Sequence, residues 1–222
     1  MATASFDDAG WSGLRATLFG DLPPERWPDG RGGGPPWGSF AVARDHLGCG
    51  DVDLAIRTWS AIANPVAGHE PRHVLQAWHF LRGQGVDVDA SIAHEPLGVV
   101  AEVAVGEGHD VLAAYRDGSV RYLNHAGPVS VVERGGPEVA EARRLEGAVD
   151  AWLATAARLV GRLPTVDGPL SLPAPGSSRF TVLTCGGHRV VEGHESELAS
   201  APGASALFTS GAGVLQALPR PA

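Results

Sequence analysis

The chain has 222 residues, 44% of them apolar, and a formal net charge of −8. That is enough to bury a core without disulfide or metal staples, and the acidic balance argues against a general phosphate-backbone binder, which needs a basic face. All 17 basic residues are arginine, which removes the Walker A lysine, the Schiff-base lysine of pyridoxal phosphate enzymes and the nucleotide-pairing lysine of protein kinases.

Residues 1–45 read as an irregular arm. The stretch GDLPPERWPDGRGGGPPWG from Gly20 to Gly38 interrupts every periodicity with proline and glycine. Trp11, Trp27 and Trp37 are too many large aromatics for a solvated tail, so the arm is expected to be pinned by tryptophan anchors, with Trp27 and Trp37 as candidate partner contacts. The glycines at 32–34 lack the preceding strand and following Lys-Ser or Lys-Thr of a phosphate cradle. The opening MATASFDDAGW lacks the basic and apolar regions of a secretory signal, and no window approaches eighteen consecutive apolar residues. The expectation is a cytoplasmic protein that spans no membrane.

Residues 46–222 are expected to form one α+β domain. Asp51 or Asp53 can cap a helix with Val52, Ile56, Trp59 and Ile62 at helical spacing, ended by Asn64-Pro65. A second helix begins at Pro71 and carries Val74, Leu75, Trp78 and Leu81 to a stop at Gly83 or Gly85. His69-Glu70-Pro71-Arg72-His73 matches the zincin motif in spelling. Proline cannot sit inside a continuing helix, so His69 falls outside it and the two imidazoles lose their shared face.

From Leu97 to Glu133 the pattern turns to strands. Leu97, Val99, Ala101, Val103 and Val105 alternate with smaller or polar residues, and Gly106-Glu107-Gly108 reverses the chain. Asp117-Gly118 suits a two-residue hairpin loop that would set Tyr115 opposite Val120 and Ala113 opposite Tyr122. Val111, Ala113, Tyr115, Val120 and Tyr122 would then share the core face of an antiparallel meander.

Pro137 to about Leu163 carries one long stripe through Leu145, Val149, Trp152, Ala156 and Leu159, roughly 40 Å of helix at 1.5 Å per residue and long enough to cross the sheet. Gly147 is its weak point. A Pro, Gly and Ser-rich crossing loop from Pro164 to Ser178 leads to a second hairpin, Arg179 to Glu192, turning at Gly186-Gly187. A last helix runs from about Ala204 to Leu218, weakened by Gly211 and Gly213. The fold class that follows is α+β: an antiparallel meander plus hairpin covered by a long helix, with two helices before it and one after.

A turn at Gly186-Gly187 would oppose Cys185 and His188 roughly 5 Å apart. His46-Leu47-Gly48-Cys49 has a matching spacing upstream, so His46, Cys49, Cys185 and His188 are the candidate ligands of a structural zinc, the one cofactor considered. Against it, two cysteines are too few for a repeated ligand pattern, and Cys185 reads equally as a small core residue. No Gly-x-Ser-x-Gly elbow, dinucleotide fingerprint or calcium loop is present in the sequence.

The runs LQAWHFLRGQGV (75–86), LGVVAEV (97–103) and DVLAAYRDGSVRYLNHAG (110–127) resemble a set of bacterial proteins to which no activity is attached. The resemblance covers roughly residues 45–218 and implies a bacterial origin, with no catalytic residue to carry over. The expected function is non-catalytic: an adaptor that binds another protein through its sheet face, an edge strand or the N-terminal arm. The competing expectation is a ligand-binding or enzymatic domain with a pocket between helix and sheet, near Tyr115, Tyr122, His109 or His125, to be recognised by a concave site with convergent polar groups.

Overall fold

The computed structural model describes residues 8–23, 36–126, 129–133, 139–166, 168 and 170–219. The chain divides into two compact units, Phe6–Ala93 and His94–Ala222. The first unit has a core of its own.

That first unit contains the helices α1 (Asp8–Phe19), α2 (Trp37–Gly48), α3 (Val52–Ala63) and α4 (Pro71–Gly83). The expected helices are α3 and α4. The two others fall inside the segment read as an irregular arm, so that Asp8–Phe19 and the stretch from Trp37 onward are helical there; residues 1–7 and 24–35 of the arm lie outside the described residues. Phe40 and Ala43 of α2 are buried with Trp59 and Ile62 of α3 and Ala77, Phe80 and Leu81 of α4. The Phe80 ring lies 5.1 Å from that of Trp59 and 6.1 Å from that of Phe40. Gln76 ties the chain after α1 to α4 through two hydrogen bonds, receiving one from the Leu22 N–H and giving one to the Leu22 carbonyl, each 2.9 Å. Pro71 does open α4 and Glu70 precedes it as the cap residue, so His69 is outside the helix.

The second unit is built on a seven-stranded antiparallel sheet in the order β4-β3-β2-β1-β6-β7-β5. Its strands are β1 (Pro96–Val105), β2 (Gly108–Tyr115), β3 (Val120–Leu123), β4 (Val129–Val132), β5 (Thr165–Val166), β6 (Ser177–Thr184) and β7 (Gly187–His194). The later hairpin joins the meander because β6 pairs with the free side of β1, Val99 opposite Val182 and Ala101 opposite Phe180. The long helix α5 (Val139–Leu159) lays Leu145, Val149, Trp152 and Ala156 on the face that carries Val99, Leu112, Ala114, Val120, Phe180 and Val182. The short α6 (Glu195–Ser200) and then α7 (Pro202–Ala217) follow β7, and Leu207 and Val214 of α7 complete the same core. These pieces are the α+β architecture the sequence implied.

Two turns differ from expectation. The first hairpin closes with three residues, Arg116 to Gly118, so Ala114 faces Val120 and Leu112 faces Tyr122. Asp117 accepts hydrogen bonds from the Ser119 N–H (3.0 Å) and hydroxyl (2.7 Å), and Gly118 takes φ +82°, the left-handed residue such a loop requires. An odd slip moves β3 to the other face: Val120 and Tyr122 join Leu112 and Ala114, while Arg121 lies with Val111 and Ala113. The second hairpin turns at Cys185-Gly186, with Thr184 opposite Gly187 and Leu183 opposite His188. The Thr184 hydroxyl donates to the Gly187 carbonyl at 2.8 Å, and Gly187 takes φ +114°. Here the register moves by two and the faces survive.

On the opposite face Val100, Val111, Ala113, Tyr115, Thr181 and Leu183 are buried as well. The central strands therefore leave no open apolar sheet face. Arg179 lies there among acidic groups, 2.6 Å from Glu192 and 3.4 Å from the fully buried Glu102, and donates to the Ser171 carbonyl of the crossing loop. His109 meets the Pro173 carbonyl of the same loop at 3.1 Å.

Candidate functional site

A pocket of about 240 Å³ opens between the α5 side of the sheet and α7. Ala101, Val103, Leu112 and Phe180 form its floor, and Phe208, Gly211, Ala212 and Leu215 its helical wall. The space follows from small residues facing one another. Ala101 keeps the floor low, and Gly211 and Ala212 keep the wall thin, with Gly211 so close to Trp152 that an added Cβ would lie 3.0 Å from its Cζ2. Phe180 and Phe208 meet edge-on with ring centroids 6.3 Å apart. Phe208 and Leu215 are exposed to solvent at the pocket's mouth.

Three polar groups complete the lining: Asp110, Tyr122 and Glu195. The Tyr122 hydroxyl donates to Asp110 Oδ2 at 2.8 Å and receives the Asn124 side-chain N–H at 3.0 Å. Asp110 Oδ1 accepts the His125 backbone N–H at 2.9 Å and lies 2.6 Å from His125 Nδ1. Partial burial by itself would raise the Asp110 pKa, but hydrogen bonds from the His125 backbone and ring and from Tyr122 overcome it and hold the carboxyl below its ordinary value. Burial, together with donation to Asp110, pushes the Tyr122 hydroxyl upward. The result is an ionised carboxylate beside a neutral phenol. Glu195 is exposed and sits where α6 begins. The start of that helix is fixed by His194, whose Nδ1 accepts from the Ser196 N–H while Glu197 accepts from the His194 N–H.

Of the four binding candidates drawn from the sequence, Tyr122 reaches this pocket. Tyr115 does not: it is fully buried on the opposite face, where its ring lies over Gly98, close enough that a Cβ there would meet Cδ1 at 2.7 Å. Trp37 opens α2 and sets its ring edge-on to His73 with centroids 5.0 Å apart, as part of the helical packing. Trp27 lies outside the described residues.

His46 is in the last turn of α2 and Cys49 caps it, both in the first unit, whereas Cys185 and His188 belong to the second. Cys185 occupies the hairpin loop, and the residue facing His188 is Leu183. Among the described residues no three His, Cys, Asp or Glu side chains gather in a way that could hold a metal ion.

Asp110, Glu195, Phe180 and Phe208 were not singled out by sequence reasoning. Asp110 was recoverable in principle, because the observed register, Val111 opposite Leu123, extended by one pair sets Asp110 opposite Asn124 and beside His125. Glu195 and Phe208 carry no such signal, since they meet the sheet only through the turn from β7 into α6 and α7. No family model, no curated protein and no solved structure matches this chain.

Proposed function

We propose that the second unit binds a small, largely apolar molecule in the pocket between the sheet and α7. The observation that carries this reading is the convergence of Asp110, Tyr122 and Glu195 on a concave wall otherwise made of alanine, valine, leucine and phenylalanine, the usual composition of a ligand site: apolar area for affinity, a few placed polar groups for orientation. The space holds about eight waters' share of liquid volume, so the occupant is a compact molecule of that order in heavy atoms. Asp110 has the better-prepared acceptor, because its hydrogen bonds are already made and its orientation fixed before a ligand arrives.

The test is a fragment screen on the full chain read by NMR shifts. Hits should perturb Val103, Leu112 and Leu215 together, and Ala212→Trp, which fills the space, should abolish them at little cost in melting temperature. Hits that ignore the pocket, or that survive Ala212→Trp unchanged, would overturn the reading.

A second reading, partner binding by an adaptor, keeps one specific observation in its favour. The edge strand β4 is four residues long and exposes Val129 at 48% and Val131 at 52%, apolar side chains beside the unpaired side of a sheet. Shift changes confined to β4 in the presence of a protein partner, with the pocket silent in the screen, would favour this alternative. For either reading we infer a bacterial, cytoplasmic protein, in keeping with a sequence that carries only two cysteines.

A further inference from the structure

The pocket's charged groups are of one sign. Asp110 and Glu195 are carboxylates, and no lysine, arginine or histidine is among the residues that line it. A small apolar ligand with an acidic head would meet repulsion at both places, and a neutral one would leave the charge of Asp110 without a counterpart on the pocket side.

The hydrogen-bond inventory narrows the ligand further. A carboxylate offers about four acceptor positions. Asp110 Oδ1 takes the backbone N–H of His125 and contacts its Nδ1, whereas Oδ2 takes the Tyr122 hydroxyl. One position on Oδ2 is therefore left over on a residue that lines the pocket, and it accepts only a donor. Tyr122 has spent its proton on Asp110 and receives one from Asn124, so it presents no O–H to a ligand acceptor. The polar end of the site is built to receive N–H, and the edge-on aromatic pair Phe180 and Phe208 joins its floor to its helical wall, suited to an apolar or aromatic body.

We propose that the ligand of this pocket is an organic ammonium ion, a primary amine on a compact aryl or alkyl body, whose cationic head is held by Asp110 and Glu195 while the body lies against Phe180, Phe208 and Leu215. The inference rests on the pocket being the binding site and adds the chemical class of its occupant. Glu195, being exposed, contributes a Coulombic attraction that salt screens. Asp110 contributes a directed charge-assisted hydrogen bond that salt affects less.

The experiment uses three probes of nearly one shape on the full chain: 2-phenylethylammonium, 2-phenylethanol and phenylacetate, each titrated by NMR at neutral pH. The ammonium should bind at least about tenfold more tightly than the alcohol, a factor typical of one added charge-assisted contact, and phenylacetate should bind most weakly. Glu195→Gln, an exposed substitution that leaves the fold intact, should shrink the ammonium's advantage several-fold, and Asp110→Asn should abolish it. Equal binding of ammonium and alcohol, both lost in Ala212→Trp, would overturn the ammonium assignment and leave the pocket standing. Stronger binding of phenylacetate would also overturn it. Failure of all three probes to perturb the pocket would remove this inference, while the fragment screen decides the pocket separately.

Discussion

A Cβ at Gly108 would lie 2.7 Å from His125 Cβ and 3.5 Å from its Cγ, inside the distance real side chains tolerate. Gly108 has no positive φ to explain it, so the reason for glycine here is the neighbour: the missing side chain lets His125 settle over β2 and reach Asp110 at 2.6 Å. Gly108→Ala should displace the imidazole. Because His125 is at a turn and can move, the cost in stability is modest, about 1 kcal/mol, the low end for overpacking. The clearer readout is the acid beside it. The His125 hydrogen bonds are among the groups that keep the Asp110 pKa low, so in Gly108→Ala an NMR titration of the Asp110 carboxyl should show that pKa rising toward its ordinary value. An unchanged Asp110 titration would mean that the glycine does not seat His125.

The helix α7 shows how one residue type carries opposite meanings within an element. Gly211 and Gly213 both lower helix propensity, and on sequence alone both weaken the segment. In the structure an added Cβ at Gly213 meets nothing within 4 Å, whereas at Gly211 it meets Trp152 Cζ2 at 3.0 Å and Cε2 at 3.1 Å. Trp152 is fully buried in the core between helix and sheet and has nowhere to retreat. Gly213→Ala should therefore stabilise by about 0.5–1 kcal/mol, the propensity gain alone. At Gly211 the same gain is outweighed by crowding of about 1–3 kcal/mol, and Gly211→Ala should be destabilising by about 1 kcal/mol. Urea unfolding of the two variants decides it. A gain in both would show that α7 stands further from α5 than described.

The same contrast explains how far elements could be read. The stripe of α5 and the alternation of β1 are strong periodic signals, and Asn64-Pro65 and Pro71 punctuate α3 and α4 cleanly, so those elements are legible from their own residues. The helix α2 is not, because it buries Phe40, Ala41 and Ala43 while exposing Val42, leaving no stripe to recognise. Turn chemistry proved the finest-grained limit. Asp117-Gly118 marked the hairpin correctly, but the Ser119 hydroxyl and N–H recruited Asp117 into a three-residue loop, and that single residue decides whether Tyr122 stands over the pocket or on the face of Tyr115. The site as a whole was hidden for the same reason: it joins β1, β2, β3, β6, α6 and α7, and only the register and the last connection bring them together.

At the scale of the molecule, two ionisable groups in the two separate units contribute to its acid response in separate ranges of pH. His79 in α4 is held below its ordinary pKa of 6.5, mainly by burial and then by the Arg82 charge. The unfolded chain takes up that proton as pH drops below 6.5 while the native state resists it, so its contribution is complete above 6.5 and is lost as pH falls through the lowered pKa. Asp110 is depressed below 3.8. Its contribution is likewise present above the unfolded value and lost as pH falls through the native one, but the window lies below 3.8. Urea midpoints measured from neutral to acid pH should therefore decline in two stages. His79→Gln should flatten the upper stage and leave the lower, and Asp110→Asn should do the reverse, because the groups belong to different units and share no partner. A single decline abolished by neither substitution would place the acid sensitivity elsewhere. Two declines that each follow their own variant would show that the charge network at the pocket, built by Asp110, His125 and Tyr122, stabilises the fold as well as presenting a carboxylate to a ligand.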